Sequence, residues 1–312
     1  MTAGRMTEGF GRLDARRTAA RSDLARAGLE GLVEAERFVA PTAAQVRRGT
    51  TALRRAPSPT APLDTEALFG ETVAVLDERD GWAWLQLDRD GYVGYIAADA
   101  LSFAIVAPTH RIKALATFVY PEPTIKAPPV AELPLGASIA IAEVGETLSQ
   151  LAQGGYVATR HTVEIARFER DFVDVAERFV GTPYLWGGRT RRGLDCSGLV
   201  QTAMHAAGFL DTPRDSDMQQ ADVGLAVLVP EDLDGLRRGD LVFWPGHVAI
   251  LTDEVMVLHA NSHHMAVAVE PLATAVDRIR RSGSEISAIR RPAGLSAPAA
   301  QVAPTGEVPP PA

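Results

Sequence analysis

The chain has 312 residues, 46% of them hydrophobic and 22% charged, an ordinary globular composition with room for two or three domains. Its formal net charge of −8 argues against general binding to nucleic acid or to an anionic membrane surface. A single cysteine excludes an intrachain disulfide, so nothing in the sequence requires an oxidising compartment.

The N-terminal residues 1–40 are predicted to form a mobile arm, with a helix near Arg21–Arg37. Six arginines and four acidic residues interrupt the first 30 positions, which argues against a secretory signal. No stretch of about 18 apolar residues occurs, so no transmembrane helix is expected. The sequence therefore favours a cytoplasmic location.

Two small all-β units are predicted next, over residues 41–109 and 110–165. Short apolar runs alternate with turn residues such as Asp80-Gly81 and Asp90-Gly91, a pattern typical of hairpins. Gly91-Tyr92-Val93 of the first unit matches Gly155-Tyr156-Val157 of the second. The sequence thus indicates two copies of one β-rich module.

A mixed helix and strand region is predicted over residues 166–291. Phe172, Val175, Ala176 and Phe179 follow helical spacing, and Gly181 suits the end of that helix. The remaining residues, 292–312, are rich in Ala and Pro and are predicted to be disordered.

Cys196 is the candidate nucleophile of this region. It follows a glycine-rich loop and precedes an amphipathic stretch that stops at Gly208, so it is predicted to begin a helix that Asp195 caps. The helix dipole and the exposed N–H groups would lower the pKa of the thiol there. A thiolate is the attacking species of a cysteine peptidase.

His247 and His259 are the candidate general base and its orienting residue. Three strands are predicted, at Asp240–Trp244, His247–Leu251 and Val255–Ala260, with a three-residue turn between the last two. That turn would place His247 directly opposite His259 on one face of a hairpin. One imidazole would then orient the other, as in a nucleophilic triad.

A zinc site is the competing interpretation of the same residues. Cys196, His259, His263 and His264 are residue types that ligate zinc. Neither a Cys-x-x-Cys nor a His-Glu-x-x-His spacing accompanies them, so no metal site is expected.

The motifs together resemble those of the NlpC/P60 cysteine peptidases. The resemblance rests on Pro183-Tyr184-Leu-Trp186-Gly-Gly, Leu194-Asp195-Cys196-Ser197-Gly198, Gly239-Asp240-Leu-Val-Phe and Gly246-His247-Val248-Ala249-Ile250. It implies an α+β fold with a papain-like catalytic domain at residues 166–291, preceded by two bacterial SH3-like barrels. It also implies Cys196, His247 and His259 as the catalytic residues, with no cofactor.

Within that family, the chain resembles the γ-D-glutamyl-L-diamino acid endopeptidases of murein recycling. These enzymes cut murein-derived peptides that carry a free N-terminal L-Ala. The resemblance implies that Glu71, Tyr95 and Asp215 bind the substrate ammonium, with Tyr92 a near alternative to Tyr95. Arg214, Ser216 and Ser197 would lie near the D-Glu portion, and Tyr184 and Trp186 would line the cleft.

Two other functions remain open from the residues alone. The chain could be a wall-peptide binding protein with a degenerate catalytic domain, or an amidase or acyltransferase on the same fold. The sequence leaves the oligomeric state undetermined, and also whether lysine or meso-diaminopimelate follows the scissile bond.

Overall fold

The computed structural model of the chain describes residues 13–230 and 232–293. Residues 1–12 of the predicted arm, and residues 294–312 of the predicted disordered tail, lie outside the described residues. Within the described part, no helix is long and apolar enough to cross a membrane.

The N-terminal segment, residues 13–40, lies against the first β unit. Its two short strands, β1 (Ala25–Arg26) and β2 (Phe38–Val39), pair in parallel. Ala19 and Leu24 are buried in a small apolar cluster with Trp84 of the first unit. Burial of these side chains holds the segment on the barrel.

The prediction of a helix near Arg21–Arg37 is wrong, because the structure has turns and short strands there. Gly28 and Gly31 adopt φ angles of 99° and 79°, in the left-handed region that glycine tolerates and that interrupts a right-handed helix. The local arginine and alanine content favoured a helix, but docking onto the barrel decided the conformation.

The first β unit is one seven-stranded sheet with the strand order β5-β4-β8-β7-β6-β3-β9. It closes around an apolar core to which almost every strand contributes inward-facing residues. Its strands are β3 (Thr42–Val46), β4 (Thr50–Arg54), β5 (Leu63–Leu68), β6 (Thr72–Arg79), β7 (Trp82–Leu87), β8 (Val93–Ala97) and β9 (Leu101–Ser102).

A second β unit follows, with a three-stranded sheet (β13-β10-β17) and a five-stranded sheet (β12-β11-β16-β15-β14). It has its own small apolar core. Its strands are β10 (His110–Ile112), β11 (Ala116–Tyr120), β12 (Ala131–Pro134), β13 (Ser138–Ile139), β14 (Ile141–Glu143), β15 (Leu148–Leu151), β16 (Tyr156–Ala158) and β17 (Thr162–Glu164).

The two β units end in the same way. A 3-10 turn follows β8 at Ala98–Ala100 and another follows β16 at Thr159–His161, each leading directly into a short strand. Gly91 and Gly155, which the repeat aligns, both have positive φ angles, of 76° and 86°. The shared ending supports the prediction that the second unit is also an SH3-like domain, which stays a prediction.

The C-terminal region is built on a six-stranded antiparallel sheet with the order β20-β25-β21-β22-β23-β24. Helices α1 and α2 cover one face of the sheet, and α4 covers the other. The helices are α1 (Phe172–Glu177), α2 (Cys196–Ala206), α3 (Ser216–Asp222) and α4 (Leu272–Arg281). The strands are β18 (Arg189–Thr190), β19 (Gly193–Leu194), β20 (Leu225–Val227), β21 (Leu241–Trp244), β22 (His247–Leu251), β23 (Met256–Asn261), β24 (Ala266–Pro271) and β25 (Ala288–Arg291).

Alternate residues of the central strands enter different cores, as the pleat of a strand requires. Val248 and Ile250 of β22 pack with α1 and α2, whereas Ala249 and Leu251 pack with α4. Helices gathered on an antiparallel sheet confirm the predicted α+β class.

Candidate active site

Cys196 is the first residue of helix α2. The preceding residue, Asp195, has extended backbone angles, and its carboxylate accepts a hydrogen bond of 2.7 Å from the backbone N–H of Gly198. This is the N-cap arrangement that the sequence predicted. It fixes the cysteine at the end of the helix where free N–H groups cluster.

A buried arginine holds this cap in place. The Arg214 guanidinium donates to both carboxylate oxygens of Asp195, at 2.9 and 2.7 Å, and to Ser197 Oγ at 2.9 Å. Its Nε donates to Thr65 Oγ1 of the first β unit at 2.8 Å, and the side chain is only 1% exposed. The geometry therefore gives Arg214 a bracing role, and its contact with a substrate carboxylate stays a prediction.

The thiol of Cys196 does not have the low pKa that the sequence predicted. Burial raises the pKa of Cys196 to about 12, and the Asp195 carboxylate acts in the same direction. The backbone N–H groups of Val248 and Ser197 act in the opposite direction, since they favour the thiolate. In the resting protein, burial outweighs the helix terminus and the sulfur carries its proton.

His247 and His259 meet as expected, although the strand register differs from the predicted one. Strands β22 and β23 pair Ile250 with Leu258 and Leu251 with Val257, a register two residues away from the predicted one. A shift of two residues keeps every side chain on its face, so the two rings still meet, as a diagonal pair. His247 Nε2 lies 2.8 Å from His259 Nδ1.

A carboxylate that the sequence reasoning missed completes this row. Glu270 of β24 places Oε1 2.8 Å from His259 Nε2, and the same oxygen accepts a hydrogen bond from Arg278 of α4. His259 pairs with Ala268, so Glu270 lies two residues further along the same face of the sheet. The detectable signal was an acidic residue ending the apolar run Ala266–Val269. We call His247, His259 and Glu270 the histidine chain.

The histidine chain fixes the positions of its protons. Burial opposes ionisation of Glu270, but the hydrogen bond from His259 and then the charge of Arg278 hold its pKa below the usual range, so Glu270 is ionised and accepts. Burial lowers the pKa of His259, so its ring is neutral, donates through Nε2 and accepts through Nδ1. His247 consequently donates through Nε2, which leaves its Nδ1 unprotonated and free to act as a base.

Burial keeps the base neutral over a wide pH range. Burial, followed by the neighbouring His259 and Arg278, lowers the pKa of His247 to about 3. Val248, the next residue, presents its backbone N–H to the Cys196 sulfur. Within the described residues no hydrogen bond joins that sulfur to the His247 ring, and such bonds often form only when substrate binds.

A possible metal-binding group overlaps the histidine chain. His259, His264 and Glu270 place potential ligand atoms within 4.8 Å of one another. Both ring nitrogens of His259 are already engaged, by His247 and by Glu270. A metal would need one of them, so the arrangement fits an orienting histidine better than a zinc ligand.

A second polar group lies between the first β unit and α3. The Tyr92 hydroxyl donates to Asp215 Oδ2 at 3.0 Å, and Arg16 Nη1 donates to the same oxygen at 2.8 Å. Burial raises the pKa of Asp215, while the charges of Arg214 and Arg16 and the Tyr92 bond oppose that rise. We call Arg16, Tyr92 and Asp215 the Asp215 cluster.

Two of the predicted ammonium-binding residues are engaged elsewhere. The Tyr95 hydroxyl accepts a hydrogen bond of 3.1 Å from Arg21, so the structure brings the alternative residue, Tyr92, to Asp215. Glu71 contacts the guanidinium groups of Arg89 and Arg189, at 3.1 and 3.4 Å. Neither Glu71 nor Tyr95 hydrogen-bonds to Asp215.

The remaining predicted residues differ in exposure. Tyr184 packs against the core cluster that contains Cys196, and burial, with the nearby sulfur, raises the pKa of its phenol to about 12. Trp186 is 68% exposed beside it. Ser197 is buried under the cap, and Ser216 is the first residue of α3. Their contacts with substrate stay predictions.

Two family models match this chain. The model described as the bacterial dipeptidyl-peptidase Sh3 domain matches residues 53–101, and the NlpC/P60 family model matches residues 181–279. The second match contains Cys196, His247, His259 and Glu270, and the first contains Tyr92.

Two proteins with similar sequences that match most of their own length come from bacilli. Dipeptidyl-peptidase 6 of Lysinibacillus sphaericus is 28% identical over 226 residues, which cover 64% of this chain and 81% of that protein. A gamma-D-glutamyl-L-lysine dipeptidyl-peptidase of Bacillus cereus is 24% identical over 244 residues, covering 68% of this chain and 71% of that one.

A crystal structure of an NlpC/P60 family protein from Bacillus cereus has a similar fold, with a TM-score of 0.67 and 21% identity, and the match covers 81% of this chain and 100% of that one. With the candidate nucleophile on a capped helix, two aligned histidines and both family models matched, the chain carries a bacterial SH3 domain ahead of an NlpC/P60 domain.

Proposed function

We propose that this chain is a cysteine endopeptidase that hydrolyses the γ-D-glutamyl–diamino acid bond of cell-wall peptides with a free N-terminal L-Ala. The observation that carries the proposal is the histidine chain, which leaves His247 Nδ1 as an unprotonated base next to the strand position whose N–H reaches the Cys196 sulfur. Relatives named as gamma-D-glutamyl-L-lysine dipeptidyl-peptidases support the class of bond.

The first step is proton transfer from the Cys196 thiol to His247 Nδ1. Burial raises the pKa of the thiol and opposes this transfer, but the positive charge of the imidazolium that forms stabilises the thiolate. His259 accepts the hydrogen bond from His247 Nε2, and ionised Glu270 stabilises the positive charge on the His247 ring through the orienting His259.

The second step is attack of the sulfur on the γ-glutamyl carbonyl carbon. The carbonyl π electrons move to the oxygen, which the backbone N–H of Cys196 stabilises, with help from the Tyr184 hydroxyl. The imidazolium of His247 then protonates the leaving amine, and the C–N bond breaks to give a thioester. Water, deprotonated by His247, hydrolyses the thioester and restores the thiol.

Recognition of the free amine is assigned to Tyr92 and Asp215. Asp215 offers a partly buried carboxylate to an ammonium, and a charge-assisted hydrogen bond there is stronger than a neutral one. An acylated L-Ala has no such charge. A preference for the free amine would therefore direct the enzyme to peptides whose L-Ala is no longer acylated by the glycan, as in murein recycling.

The test is a cleavage assay on L-Ala-γ-D-Glu-L-Lys, on its meso-diaminopimelate counterpart and on the N-acetylated form of each. We expect cleavage of at least one free-amine peptide, and cleavage of its acetylated form about tenfold slower or worse, because a charged hydrogen bond is lost. Cys196→Ala should fold normally and cleave none of the four peptides. Cleavage by Cys196→Ala would refute the nucleophile, and equal rates on both forms would refute amine recognition.

A further inference from the structure

The Asp215 cluster is already occupied by a cation of the protein itself. Arg16 Nη1 donates to Asp215 Oδ2 at 2.8 Å, and the Tyr92 hydroxyl donates to that same oxygen. An arriving substrate ammonium would need this oxygen, if the proposed function is correct. The Arg16 guanidinium and the substrate ammonium would therefore compete for the same oxygen, Asp215 Oδ2.

The position of Arg16 is fixed by the barrel that supplies Tyr92. The backbone N–H of Val93 donates to the Arg16 carbonyl at 2.8 Å, and the Gln86 amide donates to the Arg17 carbonyl at 2.8 Å. A few residues on, Ala19 and Leu24 are buried in the apolar cluster that holds the segment. Arg16 is therefore held beside Tyr92 by the backbone and does not reach it from a loose end.

Arg16 has other partners that allow it to release Asp215. Its guanidinium makes two hydrogen bonds to Asp217, of 2.9 and 2.7 Å, and three to Asp14, but only one to Asp215. Its side chain is 35% exposed, so water can replace the lost contact. If Arg16 releases Asp215, its guanidinium loses one of six hydrogen bonds and keeps the other five.

The charge around Asp215 leaves room for a second cation. Asp14, Asp215 and Asp217 contribute three negative charges, against one positive charge from Arg16. Two further charged pairs nearby, Arg214 with Asp195 and Arg55 with Asp64, are each neutral overall. Excess negative charge remains when Arg16 is present, so an ammonium is attracted, but less strongly than it would be without Arg16.

We infer that Arg16 is a specificity-determining residue that acts as an internal competitor for the amine subsite, a role that rests on the proposed function. A ligand that lacks a positive charge at this position leaves Arg16 on Asp215. A ligand with a free ammonium displaces it towards Asp14 and Asp217. Arg16 thereby sets how strongly a free amine is required, through KM and not through kcat.

The experiment compares Arg16→Gln with Arg17→Gln. Arg17 is the next residue along the chain, and its side chain is exposed and makes no ion pair with any residue that the structure describes, so its substitution is a control for the loss of one positive charge. With the free-amine tripeptide, Arg16→Gln should lower KM by about three- to tenfold and leave kcat within about twofold. Arg17→Gln should change KM by less than about twofold, and added salt should shrink the difference between the two. An unchanged or raised KM in Arg16→Gln would overturn the inference.

A conservative variant separates the charge from the docking of the segment. Arg16→Lys keeps a positive charge that can pair with Asp215 but loses the fork of the guanidinium, so its KM should stay closer to that of the unmodified protein than to that of Arg16→Gln. If Arg16→Lys behaved like Arg16→Gln, loss of docking and not loss of the competing cation would be the cause, and the inference would fail.

A binding measurement separates this inference from the proposed function. Calorimetry of the product dipeptide L-Ala-γ-D-Glu on Cys196→Ala, with and without Arg16→Gln, needs no turnover. Tighter binding with Arg16→Gln would support the internal competitor even if no peptide were cleaved. Cleavage of the tripeptide together with equal dipeptide affinity would leave the proposed function standing and refute the role of Arg16.

Discussion

The histidine chain lies on three neighbouring strands of one sheet, whereas the Asp215 cluster joins three segments far apart in the chain. His247, His259 and Glu270 come from β22, β23 and β24, so register alone brings them together. Arg16, Tyr92 and Asp215 come from the N-terminal segment, the first β unit and the start of α3. The histidine chain, the proposed chemical half of the site, is thus local to one domain, and the Asp215 cluster, the proposed recognition half, depends on how the domains pack.

Arg214 connects these two halves. It holds the cap of the nucleophile helix through Asp195, it bonds to Thr65 of the first β unit, and its charge opposes the raised pKa of the adjacent Asp215. A single buried guanidinium therefore couples the position of the nucleophile to the docking of the barrel. Separating the two halves experimentally should begin here.

Arg214→Met should have the largest effect of the changes considered. It leaves the Asp195 carboxylate buried without its cation, a loss of about 3–5 kcal/mol in the free energy of unfolding. Urea denaturation measures this loss. Arg48→Met is the matched control, since the Arg48–Asp99 pair is more than half exposed and is worth about 1 kcal/mol or less. Equal losses in the two variants would contradict the bracing role.

Glu270→Gln tests the histidine chain without touching the Asp215 cluster. The amide keeps the shape but removes the charge that stabilises the imidazolium, so kcat should fall by about ten- to a hundredfold with little change in KM. Alkylation of Cys196 by iodoacetamide should slow in parallel, because the buried thiol ionises only as His247 takes its proton. A purely structural role would leave the alkylation rate unchanged.

The control for Glu270→Gln is Glu285→Gln. Glu285 also pairs with an arginine of α4, Arg280, but the pair is exposed, and neither member hydrogen-bonds to a histidine in the described part of the chain. Its kcat should stay within about twofold of the unmodified protein. A comparable fall in kcat would indicate that loss of any acid near α4 is damaging.

The pH dependence should separate the two halves through KM and kcat. Burial raises the pKa of Asp215 above its ordinary value, so Asp215 loses its charge, and KM rises, as pH falls towards that raised value. The substrate amine, with a pKa of about 8, loses its charge above that pH, so KM should be about tenfold higher at about pH 9 than at about pH 7. The pKa of His247, lowered to about 3, predicts a kcat that does not fall between about pH 5 and 7. An acid-side fall in kcat near pH 6 would contradict the assigned state of His247.

The sequence was sufficient to bring the two histidines of the chemical half together, because their meeting depends on local spacing. Alternation in β22 and β23 placed both histidines on one face even though the register was two residues off. Glu270 was missed because it lies on β24, a strand that the sequence analysis did not predict and that pairs with β23 in the structure. The pKa of Cys196 was mispredicted because the sequence reveals a helix terminus but not how completely the sulfur is buried.

The recognition half lay further from what the residues alone could predict. Asp215 was identified only through family resemblance, and the choice between Tyr92 and Tyr95 depended on which side of the barrel faces α3. Arg16 belongs to a segment that was expected to be mobile, and only its docking onto the barrel brings it to Asp215. Contacts between domains follow no short-range periodicity in the sequence, so only the structure could identify them.

Tyr92→Phe and Tyr95→Phe form a matched pair with the smallest expected effect, and they decide which tyrosine serves the amine. The Tyr92 hydroxyl, unlike the Arg16 guanidinium, can accept a hydrogen bond from the ammonium while it donates to Asp215, so without it KM for a free-amine peptide should rise about three- to tenfold with kcat nearly constant. Loss of the Tyr95 hydroxyl removes only a bond with Arg21, and KM should change by less than about twofold. The reverse result would mean that the barrel presents its other face to the substrate, and the Asp215 cluster would then have no part in recognition.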